Sequence, residues 1–500
     1  MKNRKRETGN AKPADCCRTF PLTGFRFSIL LLSLVLLAAC GGGGGGAPLP
    51  EGPTTLAYAV SECRQVKGAG TSLTRQVLYV RQGDGEPRPV MEFGEVGPKP
   101  NNLLCSIQFG LPRLGIGSTA LWPLQRLGVS RDGSLVVFEV TDDFSLFSQS
   151  QMPLEQKGIY VVHADGSGLR PLGPASRAPC FAPAGFPCFF PFSPSGRTVT
   201  FTDLDSALPQ LDAPQVFTLD VGTGEATQLT HLPAATPPTG YLASFTPEFL
   251  DAETITFRSY ANPSTHGHPN GANPDGVATD FTVKTDGTGL EPVPVIALPG
   301  GGIIPNFTIT SAEPLATGIV VPGEKPVNGP GTFGDVVGEI FTFATNPSQV
   351  LQLTNFRRSD TYYAKLTADL RRVVFLASAD PLGSNPANHC EVFSIDSLGS
   401  DLRQLTNIGA GLPWNCDHFG PDPRTCTSTE LLIDPVTGWV TFYSTCNPFG
   451  SNPYGSQIFT MRPDGSGLRQ LTATRGMTKD ADGTLTFELP GPWAVPTRGY

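Results

Sequence analysis

The stretch Gln457–Thr472, QIFTMRPDGSGLRQLT, decides the fold. Ile458 and Thr460 point one way along it and Phe459 and Met461 the other, the period of two of a β-strand. Asp464-Gly465 follows, then the short run Leu468–Leu471. Asp-Gly between two such runs predicts a hairpin, because the turn needs a positive φ that glycine adopts without steric cost. The same hairpin recurs as GIYVVHADGSGLRPLG from Gly158, QVFTLDVGTGEATQLT from Gln215, EIFTFATNPSQVLQLT from Glu339 and EVFSIDSLGSDLRQLT from Glu391. Weaker copies begin at Gln76 and Asp280. The copy with Asn346-Pro347 lacks the glycine, so its turn must differ.

A second unit precedes most hairpins: VSRDGSLVVFEV from Val129, FSPSGRTVTFTD from Phe192, LTADLRRVVFLAS from Leu366 and IDPVTGWVTFYST from Ile433, with less regular versions from Phe245 and Ile309. Each is a short strand, a polar turn and a β-branched strand. Two strands plus two strands make a four-stranded blade, and such units cannot bury their apolar face alone. The expected fold is all-β, a β-propeller of about seven four-stranded blades, with six or eight compatible with the count. Hairpins begin 52 to 82 residues apart, so some connections are long. The spare strand TLTFEL, Thr484–Leu489, is expected to pair with the blade containing TTLAYAV at Thr54 and close the ring. Phe341, Phe393 and Phe459 match one another in the hairpin unit, as do Phe375 and Phe442 in the preceding unit, and are expected to pack between blades.

The alternation of S-x-D-G-x-x-V-x-F with I-[YF]-x-x-x-x-D-G-S-G-x-x-Q-L-T resembles the repeats of TolB-like (WD40-like) propellers, over roughly Thr54 to Thr472. The resemblance implies the fold and says little about function. TolB has a separate amino-terminal α/β domain for which no segment is recognised, so its Tol–Pal role is not carried over. Related propellers precede a serine-peptidase domain in some enzymes, and none is expected after Thr472.

The first fifty residues give an address. Lys2, Arg4, Lys5, Arg6, Lys12, Arg18 and Arg26 precede an apolar run of 13 residues, Phe27–Ala39. That is short for a membrane span and right for a signal-peptide core. It ends Leu37-Ala38-Ala39-Cys40-Gly41, which resembles the bacterial lipobox, in which the cysteine is diacylated. Residues 1–39 are thus expected to be a lipoprotein signal peptide and 40–53 the lipidated Cys40 with a glycine tether. Residues 54–489 are expected to form the propeller and 490–500 a tail. Acyl chains anchor firmly because each buried methylene adds ~0.8 kcal/mol. Gly41, rather than Asp, behind the lipidated cysteine resembles outer-membrane sorting, so the propeller is expected in the periplasm of a lipid-anchored envelope protein.

Removing residues 1–39 takes away seven of 35 basic and two of 44 acidic side chains, leaving a formal net charge of −14. Nucleic acid requires a basic footprint and is excluded as a partner. Of eleven cysteines, Cys16 and Cys17 leave with the signal and Cys40 takes the lipid. The remaining eight suggest four disulfides in an exported chain. Propeller contacts are mostly between neighbours, so sequential pairing is expected: Cys63–Cys105, Cys180–Cys188, Cys390–Cys416 and Cys426–Cys446.

Catalytic signals are sparse. There is no G-x-S-x-G nucleophile elbow. Gly115–Ala120 matches a dinucleotide-binding pattern but lacks a βαβ context and reads as a loop. His266 and His268, in the loop ANPSTHGHPNGANPDGVATD, could share a transition metal, since neutral imidazole is a common ligand. Oligogalacturonate lyases resemble TolB propellers and use a histidine-bound metal, a likeness at fold level only. Asn270, Asn273, Asp275 and Asp280 offer hard oxygens for a structural calcium, although the spacing is not an EF-hand. No other cofactor is expected.

A second repeat, Pro-x-Gly-Ser/Ala-Asn-Pro, occurs at Pro269–Pro274, Pro381–Pro386 and Pro448–Pro453. Each copy lies between the second and third strand of a blade, on the face that also carries the blade-to-blade connections. Asn273, Asn385 and Asn452, with His266, His268 and His389 nearby, are therefore candidates for a binding rim; a recurring turn is the plainer reading. Trp414 and Phe419, in LPWNCDHFGPDPRTC, are candidates for an exposed contact. The sequence favours a monomeric, non-catalytic scaffold binding envelope proteins, with glycan a lesser partner. The alternative is a propeller-fold enzyme acting on polysaccharide, a metal-assisted lyase or hydrolase, which loss of activity in a His266/His268 double variant would discriminate.

Overall fold

A computed structural model describes residues 51–497 apart from 67–69, 94–95, 100–123, 142–156, 179–187, 206–213, 235–244, 278, 294–314, 320–336, 344–349, 357–358, 360, 411–415, 417–425 and 452–456. No helix occurs among the described residues, and the strands form seven sheets. Sheet II is Leu124–Val129, Leu135–Val140, Gly158–His163 and Arg170–Gly173, with Cys188–Phe189 added in parallel to its first strand. Sheet III is Thr198–Leu204, Pro214–Asp220 and Ala226–Gln228. A bridge from Phe192 to Val199 stands where its innermost strand would lie. Sheet IV is Phe245–Phe249, Thr254–Ser259, Thr279–Lys284 and Glu291–Pro292. Sheet V is Leu315–Ile319, Val337–Phe343 and Val350–Gln352. Sheet VI is Thr361–Leu366, Arg372–Ala377, Glu391–Asp396 and Arg403–Gln404. Sheet VII is Ser428–Ile433, Val440–Ser444, Gln457–Met461 and Arg469–Gln470.

Sheet I joins the two ends of the chain. Its order is Gly476–Lys479, Leu485–Ala494, Thr55–Val66, Gly70–Gln82 and Arg88–Phe93, with Val96–Lys99 paired to Gly70–Gln82. The expected closing strand is thus present: Leu485 pairs Gln65 and Ala494 pairs Ala57. The strand runs beyond Leu489 to Ala494, and Pro496 bridges Val129 of sheet II.

Among the described residues, apolar clusters join six of the seven pairs of neighbouring sheets. One joins sheets I and II, another II and III, another III and IV, another V and VI, and another VI and VII. The last joins VII to I through Leu432, Ile458, Tyr58 and Trp493. No sheet buries its faces alone, as the repeat demanded. Within the sheets, aromatic residues stand directly opposite each other on the second and third strands. Phe375 stacks on Phe393 at 5.9 Å and Phe442 on Phe459 at 5.8 Å, and all four are fully buried. Phe138–Tyr160 and Phe257–Phe281 repeat the pair. Phe341 is buried as expected. Aromatic pairs in this arrangement add roughly 0.5–1.5 kcal/mol beyond their buried area.

The hairpin turns explain the Asp-Gly-Ser-Gly signature. Gly465 N donates to Arg462 O and Arg462 N to Ser466 O, a three-residue loop that needs glycine in the left-handed region, here at φ 86°. Asp464 accepts from the Ser466 hydroxyl and amide, which hold its carboxyl below the usual range. The Asn346-Pro347 turn lies outside the described residues.

One residue pair recurs that the repeat reading passed over. At or near the start of the third blade strand stands Gln215, Glu339, Glu391 or Gln457, and the Thr fifteen positions later donates its hydroxyl to that side chain. The same hydroxyl accepts the next backbone N–H of the third strand, from Val216, Ile340, Val392 or Ile458. The other end of each amide or carboxylate holds the connection to the next blade, as when Gly409 N donates to Glu391 Oε1 at 2.7 Å. Buried polar groups are costly unless paired, so these locks fix each outer strand and the exit path together. In sheet II, where Gly158 opens the third strand, Glu139 accepts from Ser176 N instead and forms a buried ion pair with Arg126.

Candidate functional site

The three Pro-x-Gly-Ser/Ala-Asn-Pro loops do connect second and third strands, in sheets IV, VI and VII. Their asparagines, however, turn inwards. Asn385 Nδ2 donates to Ala379 O at 3.1 Å and His389 O at 2.8 Å, and its Oδ1 accepts from His389 N at 3.0 Å. Asn273 makes the same three contacts with Ala261 O, Val277 O and Val277 N. Both side chains are buried. An amide offers two donors and one acceptor atom, and here they close the loop on itself. The direct rim contacts expected of Asn273 and Asn385 are therefore not available to a ligand; these residues preset the loop's shape. Asn452 lies outside the described residues.

What the loops present is the residue after the first proline. Leu382 is 50% exposed and Phe449 52% exposed, at matching positions of adjacent sheets. The serine of each motif reaches the outer strand: Ser451 Oγ donates to Gln470 Oε1 at 3.0 Å, and Ser384 does likewise to Gln404. The sheet VI loop is thus tied at two points, by Ser384 and Asn385, and the sheet VII loop by Ser451.

Sheet I rises on this same face. Gln76 faces Ser61 at the level where the third strands of other sheets begin, but its second and third strands continue to the pair Val66–Gly70. Five further residues at ~3.3 Å each add about 16 Å. Val96–Lys99 and Gly476–Lys479 widen this extension.

His266 and His268 are exposed in the loop of sheet IV, and His389 is half-buried on sheet VI, with sheet V between them in the chain. Glu291 approaches the first pair. Gly267 N donates to its Oε1 at 3.0 Å and Thr265 Oγ1 to its Oε2 at 2.8 Å, which hold the carboxyl below its ordinary range. Among the described residues no three His, Cys, Asp or Glu side chains converge as a metal centre. The oxygen set considered for calcium is not assembled either. Both carboxylate oxygens of Asp280 receive Arg258, at 2.8 and 3.0 Å, and Asn273 Oδ1 is engaged by Val277 N.

Cys390 and Cys416 are joined at 2.25 Å, and Cys426 and Cys446 at 2.33 Å. Both pairs follow the sequential expectation. Cys40, Cys105, Cys180, Gly115–Ala120, Trp414, His418 and Phe419 lie outside the described residues, as do the side chains of Cys63 and Cys188. No described helix is long and apolar enough to cross a membrane.

Glu430 is a buried acid with no cation beside it among the described residues. It sits in the innermost strand of sheet VII at φ 54°, where the ladder slips between Thr429 and Leu432. Burial pushes its pKa up to about 8, against the single hydrogen bond from Trp493 Nε1 at 2.6 Å.

Ring, closing ladder and loop face define a β-propeller. Neither a protein-family model nor a curated protein sequence matches the chain. Among solved structures it is similar to TolB from Acinetobacter baumannii, at 10% identity over 89% of this chain and 67% of that one, with a TM-score of 0.35. It is also similar to a prolyl endopeptidase, at 11% identity over 83% and 50% with a TM-score of 0.43. A third likeness is to an oligogalacturonate lyase in complex with manganese, at 12% identity over 58% and 67% with a TM-score of 0.34. The chain spans half the length of the prolyl endopeptidase. The seven sheets and their closing ladder carry the fold assignment.

Proposed function

We propose that the chain is a lipid-anchored propeller of the bacterial envelope that binds another protein on the arc of sheets VI, VII and I, without catalysis. The observation that carries this reading is the exposure of Leu382 and Phe449 on adjacent loops, each held to its outer strand by a serine, beside the raised part of sheet I. Single exposed apolar residues are ordinary, but matched ones on preset loops resemble the small apolar centre of a protein interface. The lipobox around Cys40 and the two joined cysteine pairs support an exported, membrane-attached location.

In-cell crosslinking of the affinity-tagged full chain tests the reading, with Leu382→Ser/Phe449→Ser as the comparison. Neither change touches the Asn273 or Asn385 locks. A specific protein adduct that the double variant loses is the expected result. No adduct from the wild-type chain, or the same adduct at the same yield from a folded variant, overturns it. The anchor is tested separately: Cys40→Ser should release the protein from membranes and end acyl labelling.

A further inference from the structure

Two seams of the ring can be matched residue by residue. In sheet VII, Val440 pairs Met461 and Phe442 pairs Phe459; in sheet II, Val136 pairs Val162 and Phe138 pairs Tyr160. Trp439, Arg462, Gly467 and Arg469 of sheet VII therefore correspond to Leu135, His163, Gly168 and Arg170 of sheet II. Around Trp439 the space is full. The Arg462 guanidinium lies 5.4 Å and that of Arg469 5.5 Å from the indole centroid, and a Cβ on Gly467 would stand 3.0 Å from its far edge. Around Leu135 the His163 imidazole takes part of that place, since a Cβ on Gly168 would stand 2.6 Å from its Cδ2, and a cavity of about 270 Å³ remains.

The cavity has an apolar floor and a mouth lined by cations, with Asp165 near His163 and Asp220 near Arg197 just outside the lining. Leu135, Val161 and Val221 form the floor, and His163, Arg170 and Arg197 face the opening, with no carboxylate in the lining. Arg170 is held across the seam, because its Nη2 donates to Val221 O at 2.6 Å and to Gly222 O at 3.1 Å. Asp165 and Asp220, on the adjoining turns, are engaged by the amides of their own turns. The volume falls just under the ~300–1,000 Å³ of drug-sized sites, which leaves room for one small ring system.

We propose that this cavity between sheets II and III binds a small planar aromatic acid. The ring lies over Leu135 beside the His163 imidazole and against Arg170, as the indole lies against Arg469 in the matching seam. The acidic group faces His163 and Arg197. The site opens on the face of the Asp-Gly turns, opposite the loops assigned to protein binding, and does not depend on that assignment.

The probe is indole-3-acetate, titrated into the full chain and followed by saturation-transfer NMR and calorimetry up to about 10 mM, a range suited to ligands of few atoms. Cyclohexaneacetate tests the ring and neutral indole tests the charge; each is expected to bind roughly tenfold more weakly. Leu135→Trp should fill the cavity and abolish binding with the thermal transition kept. Arg197→Gln leaves the cavity open, removes one exposed cation and should weaken binding severalfold, which keeps the test decisive if Leu135→Trp does not fold. Binding of one equivalent that both variants reduce supports the site. No binding to the wild-type chain, unchanged affinity in either folded variant, or equal binding of cyclohexaneacetate overturns it.

Discussion

The seam between sheets VII and I is held differently from the seam between sheets II and III. The latter joins neighbours in the chain. Its interior is the apolar cluster of Val137, Ile159, Phe190, Phe192 and Leu219, with the buried Arg126–Glu139 pair at one end. The closing seam joins residues nearly the whole domain apart, and polar links gather there. Thr54 N donates to Asp434 Oδ2 across 380 positions, Arg469 pairs with Asp84 across 385, and Arg475 reaches Glu62 across 413. Closing a long loop costs entropy that grows with its length, if slowly. A seam between adjacent hairpins does not carry that cost. The closing seam adds the strand ladder and these directional contacts to its apolar cluster of Leu432, Ile458, Tyr58 and Trp493.

The largest expected effect breaks this contrast outright. Ending the chain before Leu485 removes the innermost strand of sheet I and the Trp493 contact while leaving the II–III seam intact in sequence. The loss should approach the whole ~5–15 kcal/mol stability of an ordinary domain. Near-UV circular dichroism should show loss of fixed aromatic packing. A truncated chain that melts cooperatively at the wild-type temperature would show that the ring stands without its closure.

Next in size is Glu430, whose carboxyl faces Trp493 across the closing seam. Its pKa of about 8 in the folded chain lies above its ordinary value of 4.5. The folded state therefore holds a proton that the unfolded state releases, and stability contributed by this group falls as pH rises from 4.5 to about 8. Glu430→Gln keeps an acceptor for Trp493 Nε1 and removes that penalty. The variant should gain ~2–4 kcal/mol over wild type at pH 8 and nothing at pH 4.5, read by urea unfolding at both pH values. A difference that does not change with pH would place a charge partner beside Glu430.

Much of this was legible in the sequence, and the limits are physical. Period-two alternation and Asp-Gly turns marked strands and hairpins because both follow from backbone geometry. The spare strand at Thr484 marked the closure because an unpaired edge must find a partner. Cys390–Cys416 and Cys426–Cys446 were legible because ring neighbours are local. The direction of Asn273 and Asn385 was not, since the same loop motif reads alike whether the amide faces solvent or returns to Ala261 O and Ala379 O. Leu382 and Phe449 were passed over because an exposed apolar residue carries no periodic signal. The Glu/Gln–Thr locks were written at a constant spacing of fifteen residues and could have been found by asking why an acid and a Thr recur in otherwise apolar strands.

Those locks give the third test, because they come in two chemistries. Glu391 in sheet VI is a carboxylate accepting from Thr406 Oγ1, Ile408 N and Gly409 N. Gln457, at the closing seam, is a neutral amide on Thr472 and Thr474. Removing a hydroxyl from a charged acceptor costs ~1.5–3 kcal/mol and from a neutral one ~0.5–1.5. Thr406→Val should therefore destabilise more than Thr472→Val in chemical denaturation. The reverse order would mean that the closing seam amplifies its lock beyond the local hydrogen bond.

The smallest test separates backbone conformation from close approach. Gly224 in sheet III and Gly438 in sheet VII both have positive φ, 78° and 73°. A Cβ at Gly438 would meet nothing within 4 Å, whereas one at Gly224 would lie 2.4 Å from Leu172 O of sheet II. Alanine at either position is strained by about 1 kcal/mol because L-residues disfavour this region. Only Gly224→Ala must also push two sheets apart, since the obstacle is backbone. The difference in melting temperature between the two variants therefore measures how rigidly the internal seam is packed. If the two alanines cost the same, the II–III seam yields by the needed fraction of an ångström, and the firmness attributed to neighbouring sheets belongs instead to the closing ladder.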